Sequence, residues 1–445
     1  MIINDTIAAI SSGNINQAIS IIRISGPDAV EIIKKIYNGK IGEDKTITYG
    51  QIIDNISGKA IDEVLVNFFI GTKNYVGEDT IEINAHGGIV VTNKILDLIL
   101  ANGARLAERG EFTKRAFLNG RLTLEKAEAI NGLIHAKTNI QAEIAISQFD
   151  SHDQEVIQDL ENQMLAIMAT IETNIDYSEY YDIPQIDNKK LQKEVEIFIE
   201  KLDEIIKKSE LAQDIYQGIK VAIVGKPNVG KSSLLNALLD KPKAIVTNIA
   251  GTTRDVIEAE FTLNGLLFQL VDTAGIRKTK ERIENIGIKR TKQAIKEAKI
   301  IIHLRTAKEK EDEEYRLIKK LAKNKVYLSV ISKIDLVKDR TKFKDIIISA
   351  KKGYLWELRS ALVDAYSKVD LDDKKIIYNE RQLSLLKKCR LNLEEASKGL
   401  KKDFGPEVVI VDLTKAWENL REILNKEHDN EALLDKIFSK FCLGK

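Results

Sequence analysis

The sequence predicts a multidomain α/β protein. It has an α+β N-terminal domain, a discontinuous all-α helical domain and, inserted into the latter, an α/β domain with a mostly parallel, doubly wound sheet. Three observations predict this. A chain of 445 residues is too long for one ordinary core. Its hydrophobic texture changes from short runs to helical spacing, then to strand–loop–helix alternation, then back to helical spacing. The two helical blocks each carry an apolar stripe that must be buried, and packing one on the other makes the stretch between them an insertion.

Residues 1–118 contain short apolar runs broken by Gly and Asn, at 19–24, 64–70 and 80–83, which read as strands, with helices near 28–37 and 90–102. In 119–214 the period changes. Val156, Leu160, Met164, Ile167, Ile171 and Ile175 recur at spacings of three and four, as do Leu191, Val195, Phe198, Leu202 and Ile205. The acidic and aromatic segment 176–184 separates them as a loop. Residues 215–370 alternate strand, loop and helix. In 371–445 the helical spacing returns in Leu383, Leu386, Cys389, Leu393, Ala396 and Leu400, then Leu413, Ala416, Trp417, Leu420 and Leu424.

Composition sets bounds. Lys and Arg total 68 against 67 Asp and Glu, a net charge of +1, which argues against a globally basic nucleic-acid wrapper but leaves room for a local basic patch. Five prolines exclude long Pro-rich linkers, and two cysteines exclude a secreted disulfide framework, so a reducing cytosol is expected. The start of the chain lacks signal-peptide character, and no apolar run approaches the roughly 20 residues that span a bilayer. Five histidines and two cysteines show no metal-ligand spacing.

The most specific chemistry lies at 225–233. A buried strand at 220–224 runs into GKPNVGKSS, with Gly225, Asn228, Val229, Gly230, Lys231, Ser232 and Ser233, and a helix follows. This is a phosphate-binding loop in its required strand–loop–helix context: the glycines let backbone N–H groups close around phosphate oxygens. Lys231 is placed for the β- and γ-phosphates and Ser232 for Mg²⁺. Further elements come in GTPase order. After Thr247, Asn248, Ile249 and Ala250, the residues Gly251, Thr252, Thr253, Arg254 and Asp255 lie in a polar loop, with Thr253 placed to complete the Mg²⁺ shell. Asn264 and Gly265 mark a type I′ hairpin. The following strand ends in Asp272, Thr273, Ala274 and Gly275, where Asp272 suits an outer carboxylate of the Mg²⁺ and Gly275 an approach to the γ-phosphate. The guanine-reading element is Ser332-Lys-Ile-Asp335. Asp335 can accept from the base and Lys333 can cover it, while Ser332 supplies fewer bonds than the usual Asn, a difference worth about 1 kcal/mol. Ser349, Ala350 and Lys351 fit the last base-contacting loop.

Phosphoryl transfer also needs positive charge and an oriented water. Ile276 follows Gly275 where a water-positioning Gln is usual. The side-chain carbonyl of Asn228, with loop carbonyls near 247–252, makes a monovalent-cation site. Glu281 and Glu284 are candidates for organising water, or simply solvated surface charges.

These motifs, together with Asp5 to Ala9, Ile22 to Gly26, Gly77 to Asp79 through His86 to Gly88, Gly110 to Thr113, Arg115 to Gly120 and the tail Cys442 to Lys445, resemble the MnmE (TrmE) family of tRNA-modification GTPases along the whole chain. The resemblance implies a tetrahydrofolate-binding N-terminal domain (1–118) that makes a homodimer, a helical domain in two parts (119–214 and 371–445), and an inserted GTPase domain (215–370). It implies K⁺-dependent GTP hydrolysis with Asn228, Thr247, Ile249 and Thr252 as K⁺ ligands, Glu284 as the water-orienting carboxylate, and Arg23, Glu82, Arg121 and Lys445 as folate contacts. The implied activity, with the flavoprotein MnmG (GidA) that holds FAD and NADH, is aminomethyl or carboxymethylaminomethyl addition to the wobble uridine of tRNA from a folate-borne one-carbon unit, in the cytoplasm.

The chain departs from the family at Ser332, at Arg121 (usually Lys), at the polar loop 11–18, at Arg109 and in the loop after Leu304, which lacks the usual Asp. Cys442 reads either as a reactive thiol or as a small buried hydrophobe packed with Phe438 and Phe441, and His86 as a pteridine contact or a hydrogen-bonded turn residue. The Lys-rich stretches 188–193 and 398–402 read as solvated helix faces or tRNA phosphate contacts. A competing function is a GTP-dependent ribosome or RNA assembly switch. It accounts for the GTPase motifs but not for 110–120 or the tail. A third is a scaffold whose altered base-reading element no longer supports turnover.

Overall fold

A computed structural model describes residues 5–150, 152–176, 188–239, 259–271, 284–339, 343–424, 438–439, 441–442 and 444. The chain is a multidomain α/β protein that divides into two compact units: Met1–Ile134 with Glu427–Lys445, and His135–Lys426.

The first unit is built on a six-stranded sheet of β1 (Ile7–Ile10), β2 (Ile19–Ser25), β3 (Thr46–Ile53), β4 (Ala60–Phe69), β5 (Thr80–His86) and β6 (Arg105–Leu106), in the order β3-β4-β5-β2-β1-β6. Pairings are antiparallel except β1 with β6. Along β4, Val64, Val66 and Phe68 are buried, while Glu63 and Leu65 on the other face are exposed. This period of two puts one face against helices Ala29–Ile36 and Ile89–Ala101, whose Ile32, Ile33, Ile36, Ile95 and Ile99 complete the core. The β2–β5 register sets Arg23 directly opposite Glu82.

Helix Glu111–Leu118 falls in a stretch that offers no apolar stripe to read. Its buried side chains are Phe112 and Ala116 together with Glu111, Thr113 and Arg115, so a short apolar pair and polar contacts hold it jointly.

In the second unit, helices His152–Asp176, Asn188–Gln217, Glu380–Lys401 and Pro406–Ile423 share one core. Leu160, Met164 and Ile171 meet Leu202, Phe198, Leu386, Leu393, Leu413 and Leu420. Two helices precede the inserted domain and two follow it, so the helical domain is discontinuous in sequence and continuous in space. The Lys-rich stretches are helix faces in which Lys398 pairs with Glu395 and Lys401 with Glu196. The insertion carries β7 (Ile219–Val224), β8 (Ala259–Leu263), β9 (Leu266–Leu270), β10 (Ile300–Thr306), β11 (Val326–Ser332) and β12 (Ile346–Ile347), in the order β12-β11-β10-β7-β9-β8. All pairs are parallel except β8 with β9. The β8–β9 turn holds Asn264 at φ +48° and Gly265 at φ +82°, the two positive angles a type I′ turn demands. Among the described residues no helix is long and apolar enough to cross a membrane.

The shared helical core yields a first prediction. Leu413 is fully buried between the halves. Leu413→Ala is expected to destabilise the helical domain by about 2–5 kcal/mol, read as a lowered urea midpoint.

Candidate functional site

The phosphate-binding loop starts where β7 ends. Gly225 has φ +141°, and a Cβ there would lie 2.1 Å from the carbonyl oxygen of Leu304 on β10. Only glycine permits that approach, which brings the loop against the neighbouring strand end. Asn228 adopts φ +64°, a left-handed conformation that Asn tolerates better than most residues, and Gly230 has φ +106°. Helix Lys231–Leu239 follows at once, so its first amides face the loop. Lys231 Nζ bends back to donate to the carbonyls of Gly225 (2.6 Å) and Lys226 (2.8 Å), and burial lowers its pKa. Lys226 pairs with Asp312, which also caps helix Glu313–Leu321 by accepting from the Tyr315 amide at 3.0 Å.

The segment 332–335, expected to read the base, is tied to this loop by two bonds. Lys333, at φ +59°, donates from Nζ to the Asn228 carbonyl at 2.7 Å. Ser332 is buried, and its Oγ lies 2.5 Å from the Val229 carbonyl and 3.1 Å from the Arg305 carbonyl. The hydroxyl is therefore engaged on the loop and on the end of β10. Asp335 is held by Ser349, whose Oγ donates to it at 2.6 Å and keeps the carboxyl below its ordinary pKa. Ser349 also caps the short turn Ala350–Lys352.

Where a loop is expected after Leu304, β10 continues through Arg305 and Thr306, paired with Ile331 and Ser332. The Arg305 guanidinium bonds Asp345 at 2.6 Å and lies over the Tyr315 ring at 5.5 Å. Beside it His303 stacks on Tyr315 and contacts the Tyr327 hydroxyl at 2.7 Å. Burial, with the Arg305 charge, pushes its pKa down to about 4.

The structure thus gathers residues 228–233, 332–335 and 349–351 at the carboxyl ends of β7, β11 and β12, where parallel α/β sheets bind ligands. Thr247, Asn248, Ile249, Ala250, Gly251, Thr252, Thr253, Asp272, Thr273, Ala274, Gly275, Ile276 and Glu281 lie outside the described residues. Glu284 opens helix Glu284–Glu297. The pairs Lys226–Asp312 and Ser332–Val229 escape sequence reading because their members stand far apart in the chain and neither follows a periodic pattern.

In the N-terminal unit Arg23 donates from Nε and Nη2 to Glu82 Oε1 at 2.9 and 2.7 Å and faces the rings of Tyr75 and Phe112. Its Nη1 reaches the Gly444 carbonyl at 3.4 Å, which Ser11 Oγ also bonds at 2.9 Å. The polar loop after β1 thereby helps hold the tail. Arg121 is apart from this pair, donating to the Asn74 carbonyl at 2.8 Å, and Lys445 lies outside the described residues. Gly110, at φ +68°, approaches the tail so closely that a Cβ would sit 2.5 Å from the Phe438 carbonyl. Phe438 and Phe441 are buried as expected, but Cys442 is exposed: its neighbours take the apolar space and its thiol does not. His86 closes β5 and bonds Asp62 at 2.7 Å.

Beneath this surface Arg115, almost fully buried, bonds Asp5 (2.7 Å), Glu111 (3.0 Å) and Glu78 (3.2 Å). Burial alone would raise the Glu111 pKa. Hydrogen bonds from Arg105, the Glu108 amide and Arg115 outweigh it and hold the carboxyl below 4.5.

Comparison with known proteins covers the whole chain. A family profile described as the MnmE helical domain matches residues 124–442, and one described as the GTP-binding protein TrmE N-terminus matches residues 6–121. The chain is 54% identical over 443 residues to the tRNA modification GTPase MnmE of Mycoplasmopsis pulmonis, covering 99% of this chain and all of the relative. It is 52% identical over 442 residues to the protein of the same name from Mycoplasma mobile, again 99% and 100%. Against that of Oceanobacillus iheyensis it is 38% identical over 460 residues, covering both chains fully.

Two outcomes are expected. Ser332→Ala removes one hydrogen bond between the loop and segment 332–335, about 1 kcal/mol, so the Kd for GTP should rise about fivefold while guanine-over-adenine preference holds, as measured by calorimetry. Glu111 has a depressed folded pKa, so its contribution to stability is present above about pH 4.5 and fades as pH falls through the folded value. Glu111→Gln should therefore show a weaker loss of stability on acidification below pH 4.5 in denaturation curves.

Proposed function

The chain belongs to the MnmE family of tRNA modification GTPases, and from that premise we propose that it hydrolyses GTP to drive wobble-uridine modification of tRNA. The observation that carries the reading is the loop 225–232: a glycine-lined strand end, a left-handed Asn228 and a helix start, with Lys231 among the loop carbonyls.

The residues do distinct work. Backbone amides at the start of helix Lys231–Leu239 bind phosphate oxygens. Lys231 leaves the Gly225 and Lys226 carbonyls to neutralise the β- and γ-phosphates. Asp335, fixed by Ser349, accepts from guanine, and Lys333 covers the ring while tying Asn228 down. Glu284 orients the attacking water. The donor set fits two cations: the Ser232 hydroxyl with Thr253 for Mg²⁺, and the Asn228 amide oxygen with Thr247, Ile249 and Thr252 for K⁺. Bound there, they supply positive charge against the charge that develops on the phosphates.

In the same reading Arg23, Glu82, Arg121 and Lys445 take a tetrahydrofolate derivative. A guanidinium, a carboxylate and the exposed Tyr75 ring beside Arg23 suit a flat, polar-edged heterocycle. The N-terminal domain (1–118) forms the homodimer, 119–214 and 371–445 form the helical domain, 215–370 is the GTPase domain, and the flavoprotein MnmG supplies FAD in the cytoplasm. The assembly-switch alternative is disfavoured because relatives match the chain from end to end, N-terminal domain and tail included.

Full-length protein is expected to hydrolyse GTP several-fold faster in KCl than in NaCl, and a deletion strain to lose the modified wobble uridine in tRNA nucleoside mass spectrometry. Equal rates in the two salts would remove the K⁺ role. An unchanged nucleoside profile would remove the modification reading, and absence of turnover in either salt would favour a scaffold.

A further inference from the structure

The β8–β9 hairpin stands between the two segments assigned above to the phosphates: β8 opens shortly after Asp255 and β9 closes shortly before Asp272. Its far end is engaged by the helical domain. The turn rests on helix Asn139–Ser147, where a Cβ on Gly265 would lie 3.0 Å from Ile140 Cδ1. Ile144 of that helix is buried in the core of the inserted domain, and Ile140 packs against it. Lys137 Nζ pairs with Glu260 Oε2 at 2.6 Å, and the Glu260 carboxylate is only 10% exposed. Its other oxygen accepts from Gln269 Nε2 at 3.3 Å, and the same amide donates to the Gln217 carbonyl at 3.2 Å. Gln141, which closes a capping box with Thr138, donates to the Tyr216 carbonyl at 2.8 Å. Hairpin, helix Asn139–Ser147 and the last turn of helix Asn188–Gln217 are thereby closed into a triangle centred on Glu260.

The partly exposed ion pair itself contributes at most about 1 kcal/mol; burial of Ile144 and the packing of Ile140 hold most of the contact together. What the triangle does fix is the position of both hairpin strands against the helical domain. We propose that it is the mechanical output of the nucleotide site. Glu260 is a positioning residue, and helix Asn139–Ser147 moves with the hairpin as the γ-phosphate comes and goes. The inference rests on the GTPase reading, so nucleotide binding and turnover by the native full-length chain are measured first. Absence of both would remove that reading and this inference with it.

With turnover established, hydrogen exchange of the native chain is compared between GDP and a non-hydrolysable GTP analogue. Amides of 139–147 are expected to differ about threefold or more between the two states. Steady-state kinetics then test the pair: K137E and E260K should each lower kcat about fivefold with KM for GTP within about twofold, and the double exchange K137E/E260K should recover most of the loss. Identical exchange of 139–147 in both states would overturn the proposal, as would a double exchange no better than either single variant. If a single variant fails to fold, the native exchange comparison decides alone.

Discussion

Four amphipathic helices, two before residue 217 and two after residue 380, bury their apolar stripes on one another, and the rest of the second unit hangs from that packing. Once Leu202 and Phe198 meet Leu386, Leu393 and Leu413, the points where the chain leaves and re-enters the helical core are held fast. The inserted domain is a loop between fixed posts, with a core of its own in which Phe268, Ile302 and Leu304 are fully buried. Its contacts to the helices include Glu260 and Gln269 on the hairpin, and also Lys299 and Tyr366, which both reach Asp214 of helix Asn188–Gln217.

Within the inserted domain, close backbone approach does what side-chain charge does elsewhere. Gly225 admits β10's carbonyl edge, and the loop that follows is then fastened by single bonds from Ser332, Lys333 and Asp312. Ser332 has one proton to give and two carbonyls within reach, so it works as a peg between loop and strand. Asp335 is held in place by Ser349.

Local chemistry was what the sequence made legible. The loop 225–232, the hairpin at Asn264 and Gly265 and the four helical stripes are written in contiguous residues whose spacing states their conformation. Helix Glu111–Leu118 was hidden because Glu111, Thr113 and Arg115 share its buried face with only two apolar residues, Phe112 and Ala116. The exposure of Cys442 and the engagement of Ser332 were hidden because each depends on a neighbour far along the chain: the tail packs through Phe438 and Phe441, and Ser332 reaches Val229. Spacing alone left Glu284 open between organising water and a solvated surface charge, and only the family resemblance pointed to the first.

The split helical core also bears on biosynthesis. As the polypeptide leaves the ribosome, the stripes of helices His152–Asp176 and Asn188–Gln217 emerge first and find no partner until Glu380–Lys401 and Pro406–Ile423 have been made. The entire nucleotide-binding domain is translated in the interval. Newborn chains therefore carry a bare apolar surface through much of elongation, a natural client for chaperones, and any pause in that stretch lengthens the exposure.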